Sequence, residues 1–307
     1  MKWITGLLSL FLICCGSENR NTSGHNDPEY FQVRLNPEPG KKYTYTIENS
    51  SEMVQEVNGQ EIENSTKLEI QTVYNFLRDT SQKLRLNMSY EKFRLSIKAL
   101  DQEKELDAAT ASLSFIPSDK MFAAFDKATV SAVVDSVGNV AEVYGTDVIR
   151  SKMTAYAGNN EEALEMLNGS LKQYVGEQFF RESVENCLKA FTTRKLKTGD
   201  TVVVTLPMGG EFNISAAVVY KVVSINKGIA EISINADVEM KDQQLVVENT
   251  TVRATLSGKQ SGSLKISTGT GMVEKSETNT NMSGTMQVLG REVPFKMKTS
   301  NIIERTD

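Results

Sequence analysis

Residues 230–240 read AEISINADVEM, and this stretch decides the class of the fold. Apolar side chains stand at every second position from Ala230 to Met240, and polar or charged side chains stand between them. Strict alternation with a period of two is typical of a β-strand that has one buried face and one wet face. The stretch therefore predicts an antiparallel sheet that meets water on a single side.

Similar alternation occupies the zone from residue 31 to residue 100. Residues 43–47 read YTYTI, which is rich in β-formers. Residues 68–76 and 84–90 each place their apolar side chains on one face of a strand. Asn58-Gly59 is a strong signal for a tight hairpin turn. We therefore predict several long strands that are joined by short turns in this zone.

The zone from residue 199 to the end is also predicted to form strands. Gly269-Thr270-Gly271 and Leu289-Gly290-Arg291 are predicted to be turns. Between these turns the chain is rich in Ser, Thr and Asn, a composition that indicates a solvated strand.

The zone 101–198 is mixed. We predict a hairpin around Gly138-Asn139 and a short helix after Asn159-Asn160, whose amide side chains can cap its first turn. A longer helix is predicted from about Ser170 to Phe191, because apolar residues recur there at helical spacing. The expected fold is α+β: long antiparallel strands form a curved sheet or half-barrel, and the central helical segment packs on it.

The expected domain organisation is a single β-rich domain over residues 31–307. A weak internal echo between two long hairpins leaves a second interpretation open. In that interpretation two similar β halves, 31–144 and 199–307, are joined by helices within 145–192. Duplication and chance both explain the echo, because all strands of period two look alike.

The chain begins MKWITGLLSLFLICCGS, in which one lysine precedes an apolar run and small residues follow it. This layout is typical of a secretory signal, and the run is shorter than the ~20 residues that span a bilayer. Leu12-Ile13-Cys14-Cys15 resembles a bacterial lipobox, although Cys14 stands where glycine or alanine is usual. We expect a signal peptide over 1–14, acylation of Cys15 with palmitate-type chains, and a flexible tether over 15–30. The alternative is an ordinary signal peptide with two incidental cysteines.

Composition argues against several classes of function. The formal charge is −5, and it becomes −6 when the leader is removed with its single lysine, so there is no electrostatic footprint for nucleic acid. His25 is the sole histidine and lies in the tether, which excludes a Ser-His-Asp site or a His/Cys zinc site in the domain. Cys187 shares a helical face with Val184 and Leu188 and is predicted to be a core thiol. We expect no metal ion and no cofactor.

Three segments, in order along the chain, resemble one known family. Residues 133–145, VVDSVGNVAEVYG, are similar to its Gly-x-Val-x-x-Val-x-Gly hairpin, and residues 196–201, LKTGDT, to its Val-Lys-x-Gly-Asp-x motif. Residues 39–45, PGKKYTY, resemble its opening Gly-x-x-Tyr-x-Tyr strand. The family is the uncharacterised lipoprotein family called domain of unknown function 6263, found mainly in Bacteroidetes. The resemblance implies a surface or periplasmic lipoprotein and brings no activity, cofactor or catalytic residue.

The remaining motifs favour structural interpretations. Gly269-x-Gly271 lacks a third glycine and opens no helix, so a turn is expected rather than a dinucleotide loop. The acidic clusters within 101–107 and 161–165 are predicted to be solvated helix faces. The methionines at inward strand positions, such as Met240, are predicted to fill the core, with an adaptable binding surface as the alternative.

The sequence thus predicts a non-catalytic binding or structural lipoprotein of the cell envelope. Lipid on Cys15 would hold it to a bacterial membrane, expected to be the outer membrane, facing the periplasm or the exterior. Its expected partner is an apolar ligand held between sheet and helix, or another envelope protein. The alternative is a hydrolase of envelope glycans, which needs two carboxylates about 5–10 Å apart in an open cleft.

Overall fold

The computed structural model describes residues 30–57, 59–78, 84–100, 102–169, 171, 175–188, 191–208, 214–247, 250–288 and 291–307. The predicted signal peptide, Cys15 and the tether up to residue 29 lie outside these residues. Asn58 and the predicted turn residues Leu289 and Gly290 lie outside them as well.

Most of the described chain is β-strand. The strands are β1 (Phe31–Gln32), β2 (Lys42–Val57), β3 (Gln60–Arg78), β4 (Leu84–Ala99), β5 (Gln102–Asp107), β6 (Thr129–Val134), β7 (Val140–Tyr144), β8 (Lys195–Leu196), β9 (Thr201–Met208), β10 (Ile214–Asn226), β11 (Ile229–Val247), β12 (Thr250–Ser267), β13 (Val273–Val288) and β14 (Arg291–Arg305). Their lengths confirm the prediction of a mainly antiparallel, β-rich fold built from long strands.

Twelve strands form one continuous antiparallel sheet. Its order is β7-β6-β4-β3-β2-β14-β13-β12-β11-β10-β9, with β5 paired to β4, and β1 pairs separately with β8. The two β-rich zones of the sequence meet where β2 pairs with β14, so that Ile47 stands opposite Ile303 and Met53 opposite Met297. The N-terminal strands therefore run from the middle of the sheet to one edge, and the C-terminal strands run from the other edge back to the middle.

The alternation predicted for residues 230–240 is confirmed. On β11 the side chains from Ala230 to Met240 are buried at every second position, whereas Asn235, Asp237 and Glu239 are exposed. We call the side of the sheet that carries Ala230 and Met240 the inner face. Cross-strand pairing carries this face from strand to strand across the sheet.

The helices lie between β5 and β8 along the chain. They are α1 (Ala108–Ala111), α2 (Pro117–Lys120), a 3-10 helix (Met121–Phe125), α3 (Thr146–Ala157), α4 (Glu161–Asn168) and α5 (Glu177–Leu188). The predicted cap of α4 is confirmed, because the Asn160 side chain accepts a hydrogen bond from the Ala163 amide at 2.8 Å. The longer helix predicted from about Ser170 to Phe191 is confirmed over α5, which is preceded by a bend at Gly176. Ser170 and residues 172–174 lie outside the described residues.

The acidic segment before α1 corrects another prediction. Gln102–Asp107 forms strand β5, not a solvated helix face. It pairs with β4, with Leu106 opposite Leu95, and both of these side chains are buried. The open edge of β4 supplies the hydrogen bonds that make these charged residues a strand.

Candidate functional site

Aromatic rings fill the space between α5 and the inner face. Phe180 of α5 lies edge-on to Tyr90 of β4, with ring centroids 6.1 Å apart, and Tyr45 lies 5.1 Å from Tyr74 on the neighbouring strand. Tyr74 is in turn edge-on to Phe76 at 6.4 Å. We call these five rings the aromatic layer. Such ring pairs add to the stability that burial alone provides, so this half of the inner face has the packing of a core.

Polar groups inside the aromatic layer are held by the helix and the sheet. The Tyr45 hydroxyl donates to the Val273 carbonyl at 2.8 Å, and the Tyr74 hydroxyl donates to the Ser183 carbonyl at 3.4 Å. Burial raises the pKa of the Cys187 thiol to about 12, with a smaller opposing effect from its hydrogen bond with Tyr74. The thiol therefore stays protonated at neutral pH, which agrees with the prediction of a core cysteine.

Two hydroxyls in the same half, those of Thr72 and Tyr90, have no hydrogen-bond partner among the described residues. These two residues stand opposite each other on β3 and β4. Burial raises the pKa of Tyr90. A hydroxyl can rotate to donate or to accept a hydrogen bond.

A second group of buried polar side chains crosses the inner face on β12, β13 and β14. Cross-strand pairing places Gln260 opposite Thr280, Thr280 opposite Thr299, and Thr278 opposite Asn301. Gln260, Thr278 and Thr280 are 5%, 7% and 3% exposed. We use the name inner polar stripe for five residues: Gln260, Thr278, Thr280, Thr299 and Asn301. The stripe corrects the prediction of a solvated strand, because the inward Thr residues of β13 are buried.

Two atoms of the inner polar stripe have unmet hydrogen-bonding capacity. The Gln260 Oε1 and Asn301 Oδ1 atoms are buried and accept no hydrogen bond within the described part of the chain. An amide oxygen can only accept a hydrogen bond, so each of these two atoms needs a donor. Leaving a buried polar atom unpaired costs about 1–3 kcal/mol, and buried polar atoms in proteins are usually paired. A water molecule or the polar group of a ligand would supply the missing donor.

An apolar cluster rich in methionine borders the stripe on the side away from Ile303. Met282 stands opposite Met297 in the register of β13 and β14, and both are buried. The methionine cluster consists of these two residues together with three further buried side chains: Met240, Leu256 and Phe295. Methionine is flexible and polarisable, and it adapts its shape to whatever packs against it.

Glycines set the backbone beneath the stripe and the cluster. A Cβ added to Gly258, Gly262 or Gly284 would come within 2.1, 2.2 and 2.0 Å of a backbone oxygen on the adjacent strand. Gly258 stands opposite Met282 and Gly262 opposite Thr278. A glycine inside a strand marks a bend or a close approach of two backbones. Only glycine fits at these three positions.

Three carboxylates line the cleft of about 290 Å³ beside the β4 strand: Glu91, Asp107 and Asp126. Asp107 lines this cleft and forms two hydrogen bonds with Arg94, at 2.8 and 3.2 Å. The bond to Arg94 lowers the pKa of Asp107, so its carboxyl stays ionised. Glu91, on the same cleft, is paired with Lys127 at 2.5 Å. Both groups are neutralised by cations, whereas a glycosidase acid needs a raised pKa.

Two carboxylates with a raised pKa lie elsewhere, Glu182 on α5 and Glu274 on β13. Burial raises the pKa of Glu274, against the opposing effect of Arg305, whose guanidinium is 2.7 Å from the Glu274 Oε1 atom. Arg305 also contacts Asp307 at 3.3 Å, and Asp307 accepts a hydrogen bond from the Thr44 amide at 3.2 Å. This network joins β13, β14 and β2 at the sheet's centre, which is a structural role.

Two of the family-like segments are turns stabilised by an aspartate. The Asp135 carboxylate accepts hydrogen bonds from the Val137 and Asn139 amides, both at 2.9 Å, and Gly138 has a φ of 85°. The Asp200 carboxylate accepts from the Lys197 amide at 3.0 Å, next to Gly199 with a φ of 92°. Glycine and aspartate at these positions encode turn geometry.

The described residues contain neither a membrane-spanning helix nor a cluster of metal-binding side chains. No helix among them is long and apolar enough to cross a membrane. They also bring no three His, Cys, Asp or Glu side chains together around a point where a metal ion could bind. The groups that the candidate site offers to a ligand are amides, hydroxyls and thioethers.

Comparisons with known proteins give one firm result. The family model "Family of unknown function (DUF6263)" matches residues 81–273. No curated protein matches the sequence. The crystal structure of an outer membrane channel from Pseudomonas putida F1 aligns with 92% of this chain and 100% of its own, at 8% identity and a TM-score of 0.19.

Proposed function

The chain belongs to DUF6263, a family of unknown function, and we propose that it is an exported, lipid-anchored envelope protein that binds an amphiphile. The amphiphile lies on the inner face of the curved sheet, across β12, β13 and β14. Its acyl part contacts the methionine cluster, and its hydroxyl or amide donors meet the inner polar stripe. The protein acts by binding and does not catalyse a reaction.

The main support for this proposal is that the amide oxygens of Gln260 and Asn301 have no hydrogen-bond partner among the described residues. They are buried beside apolar side chains, where an unpaired acceptor is expensive in free energy. A donor group at the polar end of an amphiphile would relieve that cost. A purely apolar ligand would leave both oxygens unpaired, so the two amides favour a ligand that has both characters.

The methionine cluster supports the same assignment. Met240, Met282 and Met297 have unbranched side chains that can rearrange around an acyl chain at small cost. The aromatic layer under α5 is made of interlocked rings, which cannot rearrange so easily. The proposed ligand site therefore lies on the C-terminal strands and not between the sheet and α5.

The leader supports a location in the envelope. Residues 1–17 combine a charged start, a short apolar run and the Leu12–Cys15 lipobox-like segment. Several acyl chains on Cys15 would anchor the protein almost permanently, because each buried methylene contributes about 0.8 kcal/mol. In this proposal the outer membrane is the site of attachment, and the domain faces the periplasm or the exterior.

The chemistry of the site favours binding over catalysis. The one described thiol, Cys187, is held protonated in the core by burial. Of the carboxylates on the open cleft, Asp107 has a lowered pKa and Glu91 is paired with Lys127. The hydrolase alternative requires a carboxylate of raised pKa in an open cleft, and no observation favours it.

Native mass spectrometry of the protein, extracted from its membrane with a mild detergent, tests the proposal. We expect one non-covalent, lipid-sized mass per chain that disappears on denaturation, and a covalent mass on the N-terminal peptide that begins at Cys15. The two masses are read independently. A chain that carries no non-covalent ligand would overturn the binding role, and an unmodified Cys15 would overturn the anchor.

A further inference from the structure

The loop between α1 and α2 exposes three large apolar side chains within four residues. Phe115 is fully exposed at 100%, Leu113 is 77% exposed and Ile116 is 53% exposed. We call residues 113–116 the apolar loop. Folding leaves these side chains in water, although each would gain free energy on burial. Exposed apolar groups that cluster in this way mark a surface made for contact.

The apolar loop has a defined backbone. The Leu113 amide donates to the Thr110 carbonyl at 3.0 Å, and the Ser114 amide donates to the Ala111 carbonyl at 3.0 Å. The Ile116 amide donates to the Ser114 hydroxyl at 3.1 Å, and the Pro117 ring then begins α2. The chain is thus built to present these side chains, and their exposure is not the result of a frayed segment.

The base of the apolar loop is fixed to the sheet. Before the loop, Asp107 pairs with Arg94 of β4 and caps α1 through the Ala109 amide at 3.0 Å. After it, Asp119 pairs with Lys104 of β5. The following residues, Met121–Phe125, are buried in the core. The loop therefore projects from a firm support on both sides.

The charge around the apolar loop suits a membrane surface. Residues 108–117, AATASLSFIP, contain no ionisable side chain. The acidic residues on either side, Asp107 and Asp119, are each paired with a cation. Little electrostatic work is therefore needed to bring the loop to a bilayer, and the aromatic ring suits the interfacial region.

We infer that the apolar loop inserts into the lipid surface to which the domain is anchored, and that it sets the orientation of the domain. This inference rests on the proposed lipid at Cys15. The 15 residues from Cys15 to residue 29 reach at most about 50 Å, so a bilayer is always near the domain. High local concentration then favours a contact that would be weak for an unanchored protein.

A single tryptophan in the apolar loop tests the inference. Trp3 is the sole tryptophan of the sequence and is removed with the proposed signal peptide, so a tryptophan introduced into the lipidated chain is a unique reporter. In the lipidated chain, reconstituted into vesicles of phosphatidylethanolamine and phosphatidylglycerol, Phe115→Trp should shift its fluorescence to shorter wavelength. Brominated acyl chains should quench it. The control Val203→Trp, at a residue 60% exposed on β9, should show neither effect.

The result that overturns the inference is Phe115→Trp fluorescence that vesicles leave unchanged while flotation shows the protein on the membrane. A shift that appears without vesicles and grows with protein concentration would also overturn it and would assign the loop to a second copy of the chain. In a Cys15→Ser chain that begins at residue 15, Phe115→Ser should lower the vesicle-bound fraction several-fold, and Val203→Ser should not. Flotation and the mass of the N-terminal peptide report failure of the anchor separately.

Discussion

The two halves of the inner face bury apolar side chains in different ways. Under α5 the sheet presents interlocked rings, such as Tyr74 and Tyr90, which pack against Phe180. On β12 to β14 it presents methionines beside a stripe of amides and hydroxyls. The first half has the shape-specific packing of a core, and the second has adaptable side chains and unpaired acceptors. This difference is what the proposed function requires: the strands under α5 would serve stability, and β12 to β14 would serve binding.

The largest expected effect is a difference between the two halves in how much stability a truncated side chain costs. Phe180→Ala should lower the free energy of unfolding by about 3–5 kcal/mol, because it opens a cavity among rigid rings. Met297→Ala should cost only about 2 kcal/mol, the low end of the range for such truncations, because flexible neighbours close around the gap. Chemical denaturation of both variants measures the difference. Equal losses would mean that the methionine cluster is packed as rigidly as the aromatic layer.

A smaller effect is expected where the two backbones approach beneath the stripe. Gly284→Ala should cost about 1–3 kcal/mol, because its Cβ would lie 2.0 Å from the Thr255 carbonyl oxygen and the strands must shift. Gly269→Ala is the matched control, since nothing lies within 4 Å of the added Cβ there. Thermal unfolding of the two variants compares them. A neutral Gly284→Ala would show that β12 and β13 are free to separate at this point.

Unlike the preceding variants, a substitution in the inner polar stripe is expected to stabilise the protein. In protein stripped of ligand, Gln260→Leu should raise the free energy of unfolding by about 1 kcal/mol, because it removes an unpaired buried oxygen. Ser261→Leu, on the exposed face of the same strand, is the control and should change stability little. Destabilisation by Gln260→Leu would show that the amide already has a partner within the protein.

The smallest effect is expected on the opposite, wet face of the sheet. Hydrogen bonds from Lys67 and Lys92 lower the pKa of Glu69 to about 2. A lowered pKa stabilises the fold above the unfolded value of about 4.3, and this contribution is lost as the pH falls towards 2. Glu69→Gln should therefore cost less than about 1 kcal/mol at pH 7, since the group is near the surface, and nothing below pH 2. An equal cost at both pH values would rule out the ion pairs as its cause.

Sequence patterns correctly predicted those parts of the fold that depend on interactions between residues close together in the chain. Strict alternation identified the buried and exposed faces of β11, and Asn160 was identified as the cap of α4. Helical spacing placed Cys187 in the core, which the structure bears out. In each case the decisive interaction lies within a few residues of the chain or follows from one repeating period.

The pairing of strands that lie far apart in the chain could not be predicted from the sequence. The pairing of Ile47 with Ile303 joins strands from opposite ends of the chain, and no local period encodes such a partner. The acidic β5 strand is specified by the open edge of β4, not by its own composition. The stripe was missed because Thr278 and Thr280 look like solvated residues until the register places them beside Gln260. The alternating Thr residues of β13 were the available signal.

The most direct test of the binding claim is native mass spectrometry of three chains extracted in the same mild detergent: wild type, Gln260→Leu and Ser261→Leu. We expect the wild type and Ser261→Leu to carry one non-covalent amphiphile per chain, and Gln260→Leu to lose most of it while remaining folded. An equally occupied Gln260→Leu chain, or a wild-type chain without ligand, would contradict the assignment of the inner polar stripe.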